Sequence, residues 1–309
     1  MSTTQAAVTG AVRVSLSAQA RDWRGAILQA VLLLALLFSL ATLAILVFDQ
    51  VTRSLPVFAE RGLDFFTASL SSNPARAGIL QGLIGSAILA TLVALLAFPL
   101  GIATAVYLEE YAGTTKLAQF LALNIRNLAG VPSVVYGLLG LSVFVAALRT
   151  LGVGNGRSVI AGALTLAVLV LPIVVITATE SIRAVPSTLR EAGFGLGASR
   201  WQVVSRLLLP AAAPGILTGM VLALSRALGE TAPLIVAGAV LGSFSADFSP
   251  GAVAAGPYTA LPVLVYDWAR KPQAEFRELT AAAIVVLLLV TLLANTVAVV
   301  LRNRFERTW

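Results

Sequence analysis

The chain has 309 residues, 58% of them hydrophobic and only 11% charged, and its mean hydropathy of +0.93 is too high for an ordinary water-soluble domain, so lipid must be part of its solvent. It has no cysteine and no histidine, which removes disulfides, thiolate nucleophiles, imidazole bases and the usual zinc ligand sets. The net charge of +7 is scattered through short interhelical segments and is not gathered into a basic stripe with interleaved aromatics, so membrane topology explains it better than nucleic acid does.

A bilayer core needs about 20 apolar residues in a helix, because only a helix or a closed barrel satisfies the backbone there. Six apolar runs meet that requirement: about 25–48, 79–108, 131–148, 159–177, 211–241 and 279–301, each bounded by charges or by Gly, Pro and Ser clusters. The first follows Arg21 and Arg24, is too long for a signal-peptide core and is expected to stay as an uncleaved helix. Six spans put both termini on one side, and Lys and Arg in short loops choose the side. Twelve cations and six carboxylates fall on the face of the termini, against eight and seven on the other. Both termini are therefore expected in the cytoplasm. The expected organisation is a tail over 1–24, a first helix and extracytoplasmic loop over 25–78, a five-helix membrane domain over 79–301 and a tail over 302–309. The loop over 243–278 carries Phe244, Phe248, Tyr258, Tyr266 and Trp268, which suit either an anchoring aromatic belt or a lid at the membrane surface.

Within the cytoplasmic segment about 185–210, Pro186 can open a short helix on which Leu189, Ala192, Gly193 and Leu196 share a face. Gly197 ends it. Ser199 and Gln202 form a capping-box pattern for a second helix, and Pro210 biases Leu209 against continuing it. The residues alone allow an amphipathic loop at the membrane surface. Yet Glu191, Ala192, Gly197, Leu207, Leu209 and Pro210 resemble the EAA loop of ABC importer permeases, with Gly193 in place of the second alanine and Leu207 in place of an isoleucine. The resemblance implies a coupling helix that docks on a separate ATPase, with Arg190, Glu191, Ala192, Gly197, Leu209 and Pro210 as its residues. Leu189, Ala192 and Leu196 would then be an apolar knob, and Glu191, Arg190 and Arg200 charges at its rim. No Gly-x-x-x-x-Gly-Lys-Ser/Thr loop surrounds Lys116 or Lys271, so ATP would be used by the partner and no cofactor is expected on this chain.

Arg226 and Glu230 lie one helical turn apart within the fifth run, where a lone charge is costly and a pair faces a bundle interior or a wet cavity. Gly229 and Pro233 beside them can free backbone groups for a ligand, although an internal ion pair that only fixes packing fits the same residues. The run over 225–234, Ser-Arg-Ala-Leu-Gly-Glu-Thr-Ala-Pro-Leu, is similar to a signature of phosphate importer permeases of the PstA type, supported by Pro-Ser-Val-Val-Tyr-Gly over 132–137 and Ala-Leu-Pro over 260–262. This resemblance implies an all-α membrane protein with the six-helix, type I importer permease (MetI-like) fold. It also implies a translocation pathway at Arg226, Glu230, Ser133, Tyr136 and Thr231. The implied partners are a second, PstC-like permease, a PstB-like ATPase dimer, an extracytoplasmic PstS-like phosphate-binding protein and membrane lipid. A molybdate, sulfate or phosphonate permease, or the PstC-like companion itself, is the alternative within the class. An intramembrane hydrolase would need paired aspartates, a Ser-Lys or Ser-His dyad or a zinc motif inside the spans, and none is present.

Overall fold

The computed structural model describes residues 23–113, 115–242 and 255–305. Helix α1 (Trp23–Arg61) starts in the first of two compact units, Met1–Thr52, and ends in the second, Arg53–Trp309. In the first unit its Leu, Ile, Val and Phe side chains are exposed on all sides. A helix apolar all round is stable only when lipid or another subunit covers it.

The second unit continues with α2 (Asp64–Thr67), α3 (Leu80–Tyr111), α4 (Lys116–Ala129), α5 (Ser133–Thr150), α6 (Val159–Arg183), α7 (Ser187–Gly195), α8 (Arg200–Gly229), α9 (Ala232–Val236), α10 (Leu261–Ala269) and α11 (Glu275–Phe305). Among the described residues all regular structure is helical, and six helices are long and apolar enough to cross a membrane.

The centre of the bundle is α6. Its residues Ala163, Leu166, Val170, Val174, Ala178 and Ile182 are all buried, and α3, α5 and α8 pack around them. Lipid tails are as apolar as leucine, so helices in a membrane are held by close packing rather than by exclusion of water. The approach here depends on small residues. A methyl group added at Gly101 would lie 2.6 Å from Val174, and one added at Gly219 would lie 2.0 Å from the Thr177 hydroxyl. A second cluster joins Phe65, Ile79, Leu261, Leu264, Trp268 and Phe276 beneath α10 and α11.

Three expectations need correction. Pro210 does not stop its helix: α8 runs from Arg200 through Leu209, which is helical (φ −62°, ψ −44°). The π-helical stretch Val204–Leu208 precedes the proline, and its wider i→i+5 bonding absorbs a residue that can neither donate nor pack against a normal turn. The fifth run is not one helix over 211–241. It ends at Gly229, Glu230 is extended (ψ 127°), and α9 follows. Pro233 lacks the N–H that would bond the Gly229 carbonyl, which removes one of the bonds that would carry the helix across the junction. The described part of the loop over 243–278 does not lie on the surface either: Tyr258 and Trp268 are buried, α10 is packed on α3 and α11, and of these three aromatics only Tyr266 is exposed. Phe244 and Phe248 lie outside the described residues.

Candidate functional site

At one end of the bundle, α7 and the start of α8 form the expected helix pair. The turn between them is a Schellman motif: Ala198 N–H donates to the Gly193 carbonyl (3.1 Å) and Gly197 N–H to that of Phe194 (2.9 Å). Gly197 sits at φ +79°, in the left-handed region. Both bonds of the capping box are present, Ser199 N–H to Gln202 Oε1 at 2.8 Å and Gln202 N–H to Ser199 Oγ at 3.4 Å. Leu209 and Pro210 lie farther along α8, on the helix that carries this end into the bundle.

The exposed knob differs from the expected one. Leu189 is half-buried among Val203, Leu208 and their neighbours, whereas Phe194 and Leu196 project outward, the latter 90% exposed. Glu191 and Ala192 are exposed as well. Gly193 is buried where an added methyl would meet Val203 and Leu207, each at 2.9 Å, which accounts for glycine at the second alanine position of the motif. Arg190 turns inward: its Nη2 is 2.9 Å from Glu110, and its guanidinium donates to the carbonyls of Val185 (3.1 Å) and Ile182 (3.0 Å). Replacing Gly197 by valine forces a β-branched residue into the left-handed region at a cost of about 1–2 kcal/mol. Less of the chain is expected to co-purify with its ATPase, and wild-type yield with normal transport would contradict a coupling role for this turn.

The charged pair sits elsewhere, where α8 stops. Arg226 Nε is 3.3 Å from Glu230 Oε1; the Arg226 side chain is 43% exposed and that of Glu230 17%. Gly215, Thr218, Leu222, Arg226 and Gly229 recur at spacings of three and four, so they share the outward face of α8. The position in the last turn suits a cation, because the carbonyls of a helix C-terminus carry partial negative charge. On its other side, the Ser225 hydroxyl bonds the Val221 carbonyl (2.7 Å) and the side-chain amide of Asn295 on α11.

Thr231 occupies the N-cap position of α9 without a side-chain cap bond. Helix α9 lies against α5, where an added methyl at Gly137 would come within 2.8 Å of the Pro233 Cα. Tyr136, one residue earlier, is buried and donates its hydroxyl to the Leu128 carbonyl at 2.7 Å. That hydroxyl closes the α4–α5 corner. Ser133 is half-buried at the start of α5 and makes no side-chain hydrogen bond among the described residues. The structure thus brings Arg226, Glu230 and Thr231 to the α8–α9 break and sets α5 beside it, while the residues of the helix pair stand apart at the start of α8. Asn295, Phe194, Glu109 and Glu110 were not singled out from sequence. The adjacent carboxylates were visible there only as charges in a loop.

Comparison with known proteins agrees with this architecture. The chain is 37% identical over 226 residues to "Phosphate transport system permease protein PstA 1" of Mycobacterium tuberculosis (strain ATCC 25618 / H37Rv), covering 73% of this chain and 70% of that protein. It is 31% identical over 265 residues to the "Phosphate transport system permease protein PstA" of Pasteurella multocida (strain Pm70), covering 86% and 89%. Among solved structures, a chain of a bacterial alginate ABC transporter in complex with an alginate pentasaccharide-bound periplasmic protein superposes with a TM-score of 0.64 at 18% identity, over 93% of this chain and 99% of that one. The fold is that of the type I, MetI-like importer permeases, and the chain is a multi-pass inner membrane protein. Residues 97–308 match the model of the binding-protein-dependent transport system inner membrane component, and the chain belongs to that family.

Proposed function

We propose that this chain is the PstA-like permease subunit of an ATP-driven phosphate importer, forming one half of the translocation pathway at the α8–α9 break. The observation that carries the pathway is the exposure of Arg226. A guanidinium 43% exposed on the outward face of a membrane helix cannot face acyl chains without a large penalty, so that face borders a wet cavity shared with a second subunit. Phosphate is the substrate carried by the PstA relatives, and it suits this residue: a guanidinium presents forked donors that match tetrahedral oxygens.

Glu230 holds Arg226 in place between turnovers and competes with the anion for the same donors. The anion is thereby kept from binding too tightly, as a conducting site requires. Thr231, at the break, and Ser133, on the adjacent helix, supply neutral hydroxyls along the same path. The energy enters at the other site, where α7 docks on a PstB-like ATPase dimer through Glu191, Ala192, Phe194 and Leu196. A PstC-like second permease and a PstS-like extracytoplasmic phosphate-binding protein complete the assembly. ATP acts on the partner, and this chain binds no cofactor.

Proteoliposomes holding the four-component complex are expected to import labelled phosphate only with ATP, and a tenfold excess of sulfate, molybdate or phosphonate should leave the rate within twofold. Inhibition by one of those anions as strong as by unlabelled phosphate would assign the pathway to that anion. The orientation follows from the charge balance, with both termini cytoplasmic. A reporter active only in the cytoplasm should work when fused after Trp309 and be silent when inserted after Gln273, and activity at both positions would overturn the topology.

A further inference from the structure

Three consecutive residues at the end of α3, in the π-helical turn Tyr107–Tyr111, each hold one arginine from the region of the coupling helices. Glu109 takes Arg183, the last residue of α6, in a two-bonded pair (Nη2 to Oε2 2.9 Å, Nε to Oε1 3.2 Å). Glu110 takes Arg190 of α7, with Nη2 and Nε at 2.9 and 3.0 Å. Tyr111 lies beneath the guanidinium of Arg200, the first residue of α8, 5.6 Å from the ring centre. The wider π turn advances each side chain by a smaller angle than an α turn does, so three neighbours in sequence can face one region.

We propose that Glu109, Glu110 and Tyr111 form a receptor inside the chain that locks the coupling helices to α3, so that movement imposed on α7 reaches the bundle as a rigid displacement. This rests on the reading of α7 as the helix that docks on an ATPase. The need for such a lock is visible in the connection: only Ala184, Val185 and Pro186 separate α6 from α7, and a three-residue link can act as a hinge. Arg190 closes that hinge. Besides Glu110 it binds the carbonyl of Ile182, which also accepts from the Val185 N–H (3.3 Å), and the carbonyl of Val185 within the link itself. Its ion pair is well covered, with side-chain exposures of 21% for Arg190 and 9% for Glu110, so salt screens it weakly. The Arg183 side chain is 53% exposed and also reaches Glu180 at 3.7 Å, which makes the Glu109 pair the salt-sensitive member. None of the three receptor residues touches the α8–α9 break in any described contact; they are positioning residues.

The test is the number of phosphate ions imported per ATP hydrolysed by the complete complex in proteoliposomes. For Glu110→Gln, which keeps shape and removes charge, this ratio is expected to fall at least fivefold among complexes that assemble. A purely structural role would lower the yield of complex and leave the ratio within twofold of the parent, and that result overturns the proposal. The Glu109–Arg183 pair allows an exchange, because among the described residues Arg183 bonds only the carboxylates of Glu109 and Glu180. Glu109→Arg and Arg183→Glu should each lower the ratio, and together they should restore it to at least half the parent value; a combined ratio below half overturns the proposal, also where Glu110→Gln fails to assemble. The parent complex separates this from the functional reading. If it imports no phosphate, the assignment of substrate has failed, whereas an importing parent with an unchanged Glu110→Gln ratio removes the lock alone.

Discussion

Arg226→Gln is expected to abolish phosphate uptake, at least a hundredfold below the parent, in a complex that still assembles. The anion crossing the α8–α9 break loses the cation that Arg226 presents there, and glutamine offers two donors without charge in place of the charged fork. Arg226→Lys should retain a small fraction of the rate, since an ammonium is a point charge that cannot bridge two oxygens. A packing role for the same pair predicts otherwise. If Glu230, already only 17% exposed, is covered further by a second subunit, removing Arg226 leaves a buried carboxylate uncompensated, at a cost of about 3–5 kcal/mol, and the complex should misassemble. The double change Arg226→Gln with Glu230→Gln separates the two roles because it removes both charges. Assembly should recover in either case. Transport recovers only if the pair serves packing, so a well-assembled double variant that imports phosphate at the parent rate would refute the pathway assignment.

The features legible in the sequence were those with a local cause. Six apolar runs announce six membrane helices because the bilayer demands about 20 apolar residues wherever a chain crosses it. The capping box at Ser199 and Gln202 and the left-handed Gly197 were legible because each is decided within a few residues. So was the Arg226–Glu230 contact, set by helical spacing. What escaped depends on distant partners or on exceptions to the local rule. Arg190 reads as a rim charge until Glu110, 80 residues earlier, is placed beside it. Pro210 reads as a helix stop until the π-helical Val204–Leu208 is seen to absorb it. Trp268, at the end of a loop rich in aromatics, reads as an interface anchor, and the packing of Phe65 and Phe276 around it has no local signal. Helix α4 was missed because its charged and amide residues, Lys116, Gln119, Asn124 and Arg126, interrupt the apolar run that a spanning helix would show.

Gly137→Ala is expected to cut phosphate uptake about tenfold, although it adds one methyl group to a residue that binds nothing. The reason lies in what that methyl meets. It would stand 2.8 Å from the Cα of Pro233, 3.2 Å from the Pro233 carbonyl oxygen and 3.0 Å from the Cβ of Val236, so two of its three neighbours are backbone and cannot rotate away. Helix α9 must therefore shift as a body. Overpacking of this kind costs about 1–3 kcal/mol, well short of unfolding a bundle of this size, so assembly should survive. The displacement is concentrated where it matters to transport, because α9 starts at Ala232, directly after Glu230 and Thr231. A shift of its first turn moves Glu230 relative to Arg226 and spoils a contact that is already 3.3 Å long. Gly82→Ala is the matched comparison: its methyl would meet Leu261 at 3.4–3.5 Å, an ordinary van der Waals distance that asks nothing of its neighbours. Uptake by Gly82→Ala should stay within twofold of the parent. If Gly137→Ala transports as well as Gly82→Ala, the position of α9 does not govern the pathway; if both fall together with thermal stability, small residues in this bundle serve packing alone.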